Sequence, residues 1–127
     1  LHVVHPWVNA TEGRTAFLYM EVENEGDSEV TLTGAEAHFA ESAEIVGFAM
    51  KDGEGTWQPI AAMPLKPGHH LEFEPNGLAI RLTGLTEHLE EGHHEDLHLE
   101  TSAGEIEIQV MVEPANATQH SHAGHKH

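Results

Sequence analysis

Apolar and polar positions alternate in short runs along most of this chain. Ala16 to Glu23 holds Phe17, Tyr19, Met20 and Val22, and Val30 to Leu32 forms a shorter run. Leu71-Glu72-Phe73-Glu74 alternates strictly, and Leu78-Ala79-Ile80-Arg81-Leu82 sets positions 78, 80 and 82 on one face. Leu97 and Leu99 lead through Ser102-Ala103-Gly104 into Ile106, Ile108, Val110 and Val112, with Glu105, Glu107 and Gln109 between them. That last stretch predicts a β-hairpin with one wet face. Turn signals separate the runs: Glu12-Gly13, Glu25-Gly26-Asp27, Lys51-Asp52-Gly53, Lys66-Pro67-Gly68 and Pro75-Asn76-Gly77. Many short strands without a sustained helical period predict an all-β antiparallel sandwich or barrel. Only Thr86 to Glu91 offers room for a helical turn. Pro114 to His127 has no strand signal and is expected to be a disordered, His-rich tail, leaving residues 1–113 as the folded domain. The 127 residues suffice for one core and not for two.

Charge narrows the partners. Five Lys and Arg stand against 22 Asp and Glu, for a formal charge of −17. Nucleic acid is excluded as a partner, because neutralising phosphates needs clustered Lys and Arg. Anionic membrane surfaces are disfavoured for the same reason. A field of this sign draws in cations instead. The absence of Cys removes disulfides, thiolate metal sites and thiol catalysis. No apolar run approaches the ~20 residues of a membrane-spanning helix. The chain starts at Leu1, with neither a signal peptide nor an initiator Met, and reads as a mature or trimmed form.

Histidine is the outlying component, with 13 in the chain. Imidazole is the commonest protein ligand for Zn, Cu and Ni. One candidate group is His2 and His5 in His-Val-Val-His-Pro-Trp. Two imidazoles with an amine make the tetragonal nitrogen set of a histidine brace, which suits Cu(II). A brace takes its amine from a His at position one. Leu1 must therefore be removed, or its own amine must serve together with the His2 amide. In a regular strand residues 2 and 5 point to opposite faces, so one ion can use both only where the strand departs from regularity. A second group is His93, His94, Asp96 and His98. With Leu97 and Leu99 turned to the core, His94, Asp96 and His98 share the outer face at spacings of ~7 Å, and His93 falls on the inner side at the barrel mouth. His38 stands alone, either as a core histidine or as a ligand brought in by the fold. His69 and His70, in a tight turn, are expected in solvent, as is His88. The tail histidines His120, His122, His125 and His127 are weak chelators that need no fold and raise the local metal concentration. Trp7 and Trp57 are expected in the core or at its rim.

Several fragments in fixed order resemble a known family. They are Pro6-Trp7-Val8-Asn9-Ala10, Thr15-Ala16-Phe17-Leu18-Tyr19-Met20 and Glu23-Asn24-Glu25-Gly26-Asp27. Leu32-Thr33-Gly34-Ala35, Ala43-Glu44-Ile45, Met50-Lys51-Asp52-Gly53, Leu65-Lys66-Pro67-Gly68, Leu82-Thr83-Gly84-Leu85 and Leu89-Glu90-Glu91-Gly92 follow. Together, over roughly residues 3 to 113, they resemble the PCuAC domains, the periplasmic copper chaperone family. The resemblance implies a cupredoxin-like Greek-key β-barrel. It also implies a Cu(I) site built from a His, one or more Met and a later His-x-Met pair. Here those positions hold Val46, Met50, Ala79 and Arg81. Three of four ligands are gone, Arg81 would repel a cation, and Met50 is expected in the core.

Soft sulfur has thus been replaced by imidazole and carboxylate, a set that favours Cu(II) over Cu(I), with Zn(II) or Ni(II) as competitors. The chain is similar to the divergent PCuAC domains found alongside particulate methane monooxygenase. The expected function is periplasmic copper storage or delivery to a copper enzyme such as that one, without catalysis. The alternatives are a histidine-brace copper oxidase, against which the scarcity of aromatic residues argues, and a Zn/Ni-buffering protein dominated by the tail.

Overall fold

The computed structural model describes residues 1–75 and 77–114. The tail histidines His120, His122, His125 and His127 lie outside the described residues. Ten strands run in chain order: β1 His2–Asn9, β2 Thr15–Glu23, β3 Val30–Glu36, β4 Ser42–Lys51, β5 Glu54–Pro59, β6 Met63–Leu65, β7 His70–Phe73, β8 Leu78–Thr83, β9 His94–Thr101 and β10 Gly104–Glu113. Their order in the sheet is β5-β4-β8-β7-β2-β1-β10-β9-β3-β6, with a further β8–β2 pairing. This is the cupredoxin-like fold expected from the sequence, built as one curled sheet that is not closed. Its edges are β5 and β6, the two strands that carry Pro59 and Pro64. Proline is tolerated at an edge because no ladder hydrogen bond is lost there, and it discourages pairing with another chain. Thr86 to Glu91 forms no helical turn; Leu89 instead makes a bridge to Thr11.

The sheet curls around one main core. Leu18, Leu32, Ile45, Ile80, Leu82, Leu89, Leu97 and Leu99 are each at most 2% exposed, and Phe39 closes the same cluster. Burying an aliphatic side chain of this size stabilises the fold by ~1.5–3 kcal/mol. β9 and β10 form the hairpin expected from the alternation, in register from Gly104↔Thr101 to Met111↔His94. The β4–β5 hairpin turns on Asp52 (φ 55°) and Gly53 (φ 83°), with Lys51↔Glu54 closing it. Two successive positive φ values define a type I′ turn, for which Asp-Gly is a preferred sequence.

A second apolar cluster lies on the outer face of the sheet. Trp7, Tyr19, Val46 and Ala79 are buried there, with Phe17 and Trp57 packed against them. Strands β2, β4 and β8 are therefore covered on both faces. Leu18, Tyr19 and Met20 are consecutive and all buried, as are Ile45 and Val46.

Candidate metal centre

The outer cluster occupies the place where the PCuAC resemblance puts a Cu(I) ion. Val46 and Ala79 are register partners on β4 and β8, and both are 0% exposed. The Trp7 and Tyr19 rings lie 4.9 Å apart beside them, and the Phe17 and Trp57 rings meet edge to face at 4.8 Å. Burial raises the Tyr19 phenol above its ordinary pKa, so it stays neutral. One residue pair along, the Arg81 guanidinium donates to the Glu44 carboxylate at 2.9 Å. Phe48 folds back over Gly55, where any Cβ would overlap the ring at 2.2 Å, and meets Trp57 at 5.1 Å. Met50, expected in the core, is instead 65% exposed, because the β4–β5 hairpin carries it beyond the sheet that would cover it. A hydrocarbon plug and a guanidinium do not fit a thioether copper site.

Beside this plug the same face turns polar. The bulge between Val4 and Trp7 sets His5 (φ 50°) and Pro6 against a single residue of β2. As a result His2, Val4 and Trp7 all share the outer face, in register with Glu23, Glu21 and Tyr19. Strand β7 continues the rows: Glu23 pairs with His70, and Glu21 with Glu72. Cross-strand partners project to the same side of a sheet. The result is a row His2–Glu23–His70 above a row Val4–Glu21–Glu72. Donor atoms of Glu21, His70 and Glu72 all lie within 4.8 Å of one another, and His70 Nε2 is 3.8 Å from Glu72 Oε1. His2 and His70 stand two strand spacings apart, ~10 Å between backbones.

Asn24 fixes the chain that delivers His70. It is 1% exposed and fully bonded. Its Nδ2 donates to the carbonyls of Ser28 (2.8 Å) and Leu65 (2.9 Å), and its Oδ1 accepts from the Gly26 N–H (3.0 Å). Its main chain bonds Gly68 and His69, at 2.7 and 3.0 Å. The Lys66–His69 turn is thereby stapled to the end of β2, and the next residue is His70.

The structure differs from the sequence expectations at several candidates. Neither His2 nor His5 belongs to a group of three or more His, Asp or Glu donors within 4.8 Å among the described residues. His5 sits in the bulge, and His2 is the register partner of Glu23. His70 is exposed, as expected, but it opens β7 rather than sitting in the turn, and it joins two carboxylates. Its signal was available in His70-Leu71-Glu72, an alternation that sets an imidazole and a carboxylate on one face. Glu21 was missed because only the fold brings it alongside. On β9, Leu97 and Leu99 are buried, while His94 and Asp96 are exposed and His98 is half-buried. His93 is exposed rather than turned inward, 3.9 Å from Glu90. His38 is exposed, with its ring edge on Phe39, and joins Glu87 and Glu95 within 4.8 Å. Burial and the neighbouring Glu87 carboxyl raise the pKa of Glu95, against the lowering pull of His38. His38, Asp96 and His98 line one surface cleft with Glu36 and Glu107.

The ten-stranded sheet and its strand order are those of a PCuAC-type domain. The apo PCuAC domain from PmoF1 superposes with a TM-score of 0.73 at 26% identity, over 88% of this chain and 92% of that one. The apo PCuAC domain of PmoF2 gives 0.73 at 25% identity over 92% of both chains. A copper-bound form of the PmoF2 domain gives 0.73 at 24% identity, over 88% of this chain and 91% of that one. The model of the LpqE-like family matches residues 1–112, and the chain belongs to that family. No curated protein sequence matches the chain.

Proposed function

We propose that this domain is an exported copper carrier that holds Cu(II) on its outer face, with His70, Glu21 and Glu72 as ligands and His2 as the second imidazole. The observation that carries this reading is the convergence of the Glu21, His70 and Glu72 donors to within 4.8 Å, beside a sulfur site closed by Val46, Ala79 and Arg81. Two imidazoles and carboxylate oxygens make a tetragonal N,O set, which suits Cu(II). Copper in the PmoF2 relative supports the choice of metal. The field of −17 charges concentrates cations at the surface.

The site is open and shallow, which fits an ion that must be handed on. Delivery outside the cytoplasm to a copper enzyme, with particulate methane monooxygenase as the model recipient, is part of this proposal, as is storage. Catalysis is not: an accessible site that releases its ion suits a carrier. Electron paramagnetic resonance of Cu(II)-loaded protein tests the reading. A type-2 signal with nitrogen couplings should weaken sharply in His70→Ala and lose one nitrogen in His2→Ala. An unchanged spectrum in both variants rejects the site. Because imidazole binds metal only when neutral, loading should fall steeply below pH ~6.5.

A further inference from the structure

The copper proposal leaves unused a second imidazole-centred group on the far side of the same face. His98 of β9 is the register partner of Glu36 on β3 and of Glu107 on β10. Its Nδ1 lies 3.9 Å from a Glu105 oxygen, and its Nε2 lies 3.8 Å from a Glu107 oxygen. Both separations exceed hydrogen-bond length. A neutral imidazole has one N–H and one lone pair. With a carboxylate at each nitrogen, one of them faces the lone pair, a contact that a cation at that nitrogen, proton or metal, relieves. Among the described residues, no Lys or Arg lines the adjoining cleft to relieve it.

The group is held by backbone rather than by loops. Three neighbouring strands fix the positions, and the donors of Glu36, His98 and Glu105 lie within 4.8 Å of one another. Like charges packed across adjacent strands cost stability. The chain retains them around a half-buried imidazole, whose side chain is 43% exposed. Asp96 and His38 line the same cleft and offer further oxygen and nitrogen donors.

We infer that Glu36, His98 and Glu105 form a second metal site, distinct from the proposed copper site, that takes a borderline divalent cation of the Zn(II) class. One imidazole with several carboxylates and no sulfur suits Zn(II) and is a poor match for Cu(I). The site lies across β3, β9 and β10, whereas the copper ligands lie on β1, β2 and β7, so the two bind without sharing a residue. Bound Zn(II) neutralises the crowded carboxylates, and the folded state is stabilised by the binding free energy.

The test is titration of the full chain with Zn(II) alone, followed by NMR of the assigned backbone amides. The expected result is that amides around Glu36, His98 and Glu105 shift and saturate. The shifts should persist in His70→Ala, disappear in His98→Ala and need at least tenfold more zinc in Glu105→Gln. Glu105→Gln changes an exposed, isosteric side chain and keeps the fold, so it decides the matter if His98→Ala is unstable. Zinc shifts confined to β1, β2 and β7 or to residues 115–127, or unaltered by both His98→Ala and Glu105→Gln, overturn the inference. Loss of copper at His70 with zinc intact at His98 separates failure of one proposal from failure of the other.

Discussion

Two neighbouring patches of one sheet face have opposite character. Around Val46 and Ala79 the face is closed by Trp7, Tyr19, Phe17 and Trp57 and bordered by the Arg81–Glu44 pair. A few residues further along the same strands it carries His2, Glu21, Glu23, His70 and Glu72. Strand β2 serves both: Tyr19 belongs to the plug, Glu21 and Glu23 to the polar rows. On the proposed reading, ligand chemistry is separable from the scaffold. Filling one patch with hydrocarbon strengthens the fold locally, and a two-residue step along the strand supplies a different donor set.

The sharpest way to break the comparison is to attack the plug. Trp7→Ala should cost ~3–5 kcal/mol of stability, as expected for an aromatic removed from a tight cluster. Denaturant unfolding measures it, and Cu(II) affinity of the folded protein should stay within about twofold of wild type. His70→Ala should do the reverse. Copper affinity at the domain should fall about a hundredfold, ~2.7 kcal/mol, in a competition titration, while stability changes by less than ~0.5 kcal/mol. Asn24→Ala acts at the end of β2, beside the polar rows. Removing a buried, fully bonded amide should cost ~1–3 kcal/mol and, by loosening the turn before His70, weaken copper about tenfold.

The smallest effect concerns Glu95. Burial and Glu87 raise its folded pKa above the unfolded value, so the native state holds that proton to higher pH. Its stability contribution is best below the unfolded pKa of ~4.3 and is lost as pH rises through the folded value. Glu95→Gln should therefore raise Tm by only ~1–2 °C at pH 7 and by nothing at pH 3.5, measured by thermal melts.

Much of the fold was legible in alternation. The β9–β10 hairpin and β7 each bury one face, so polar and apolar residues take turns. Strand β4 was not legible. Ser42–Lys51 packs Ile45 into the main core and Val46 into the outer cluster, and a strand covered on both faces loses its period of two. Its turn was visible all the same, since Asp52-Gly53 demands positive φ. The vacated Cu(I) positions were readable from the family resemblance, but not what filled them: Trp7 and Tyr19 reach Val46 only through sheet order. For the metal ligands, histidine abundance announced the chemistry and hid the geometry. Proximity in sequence pointed to His2 with His5, whereas sheet register sets His2 beside Glu23, whose other neighbour is His70. The proposed carboxylate ligands Glu21 and Glu36 carry no local mark in the sequence, and only register brings them beside His70 and His98.

One equivalent of Cu(II), added to the full-length chain and followed by paramagnetic broadening of backbone amides, tests the central claim most directly. The account predicts that signals of His2–Val4, Glu21–Glu23 and His70–Glu72 vanish first while those around Val46, Met50 and Ala79 persist. Broadening centred on Met50 and Ala79, or confined to residues 115–127 with the sheet untouched, would contradict it.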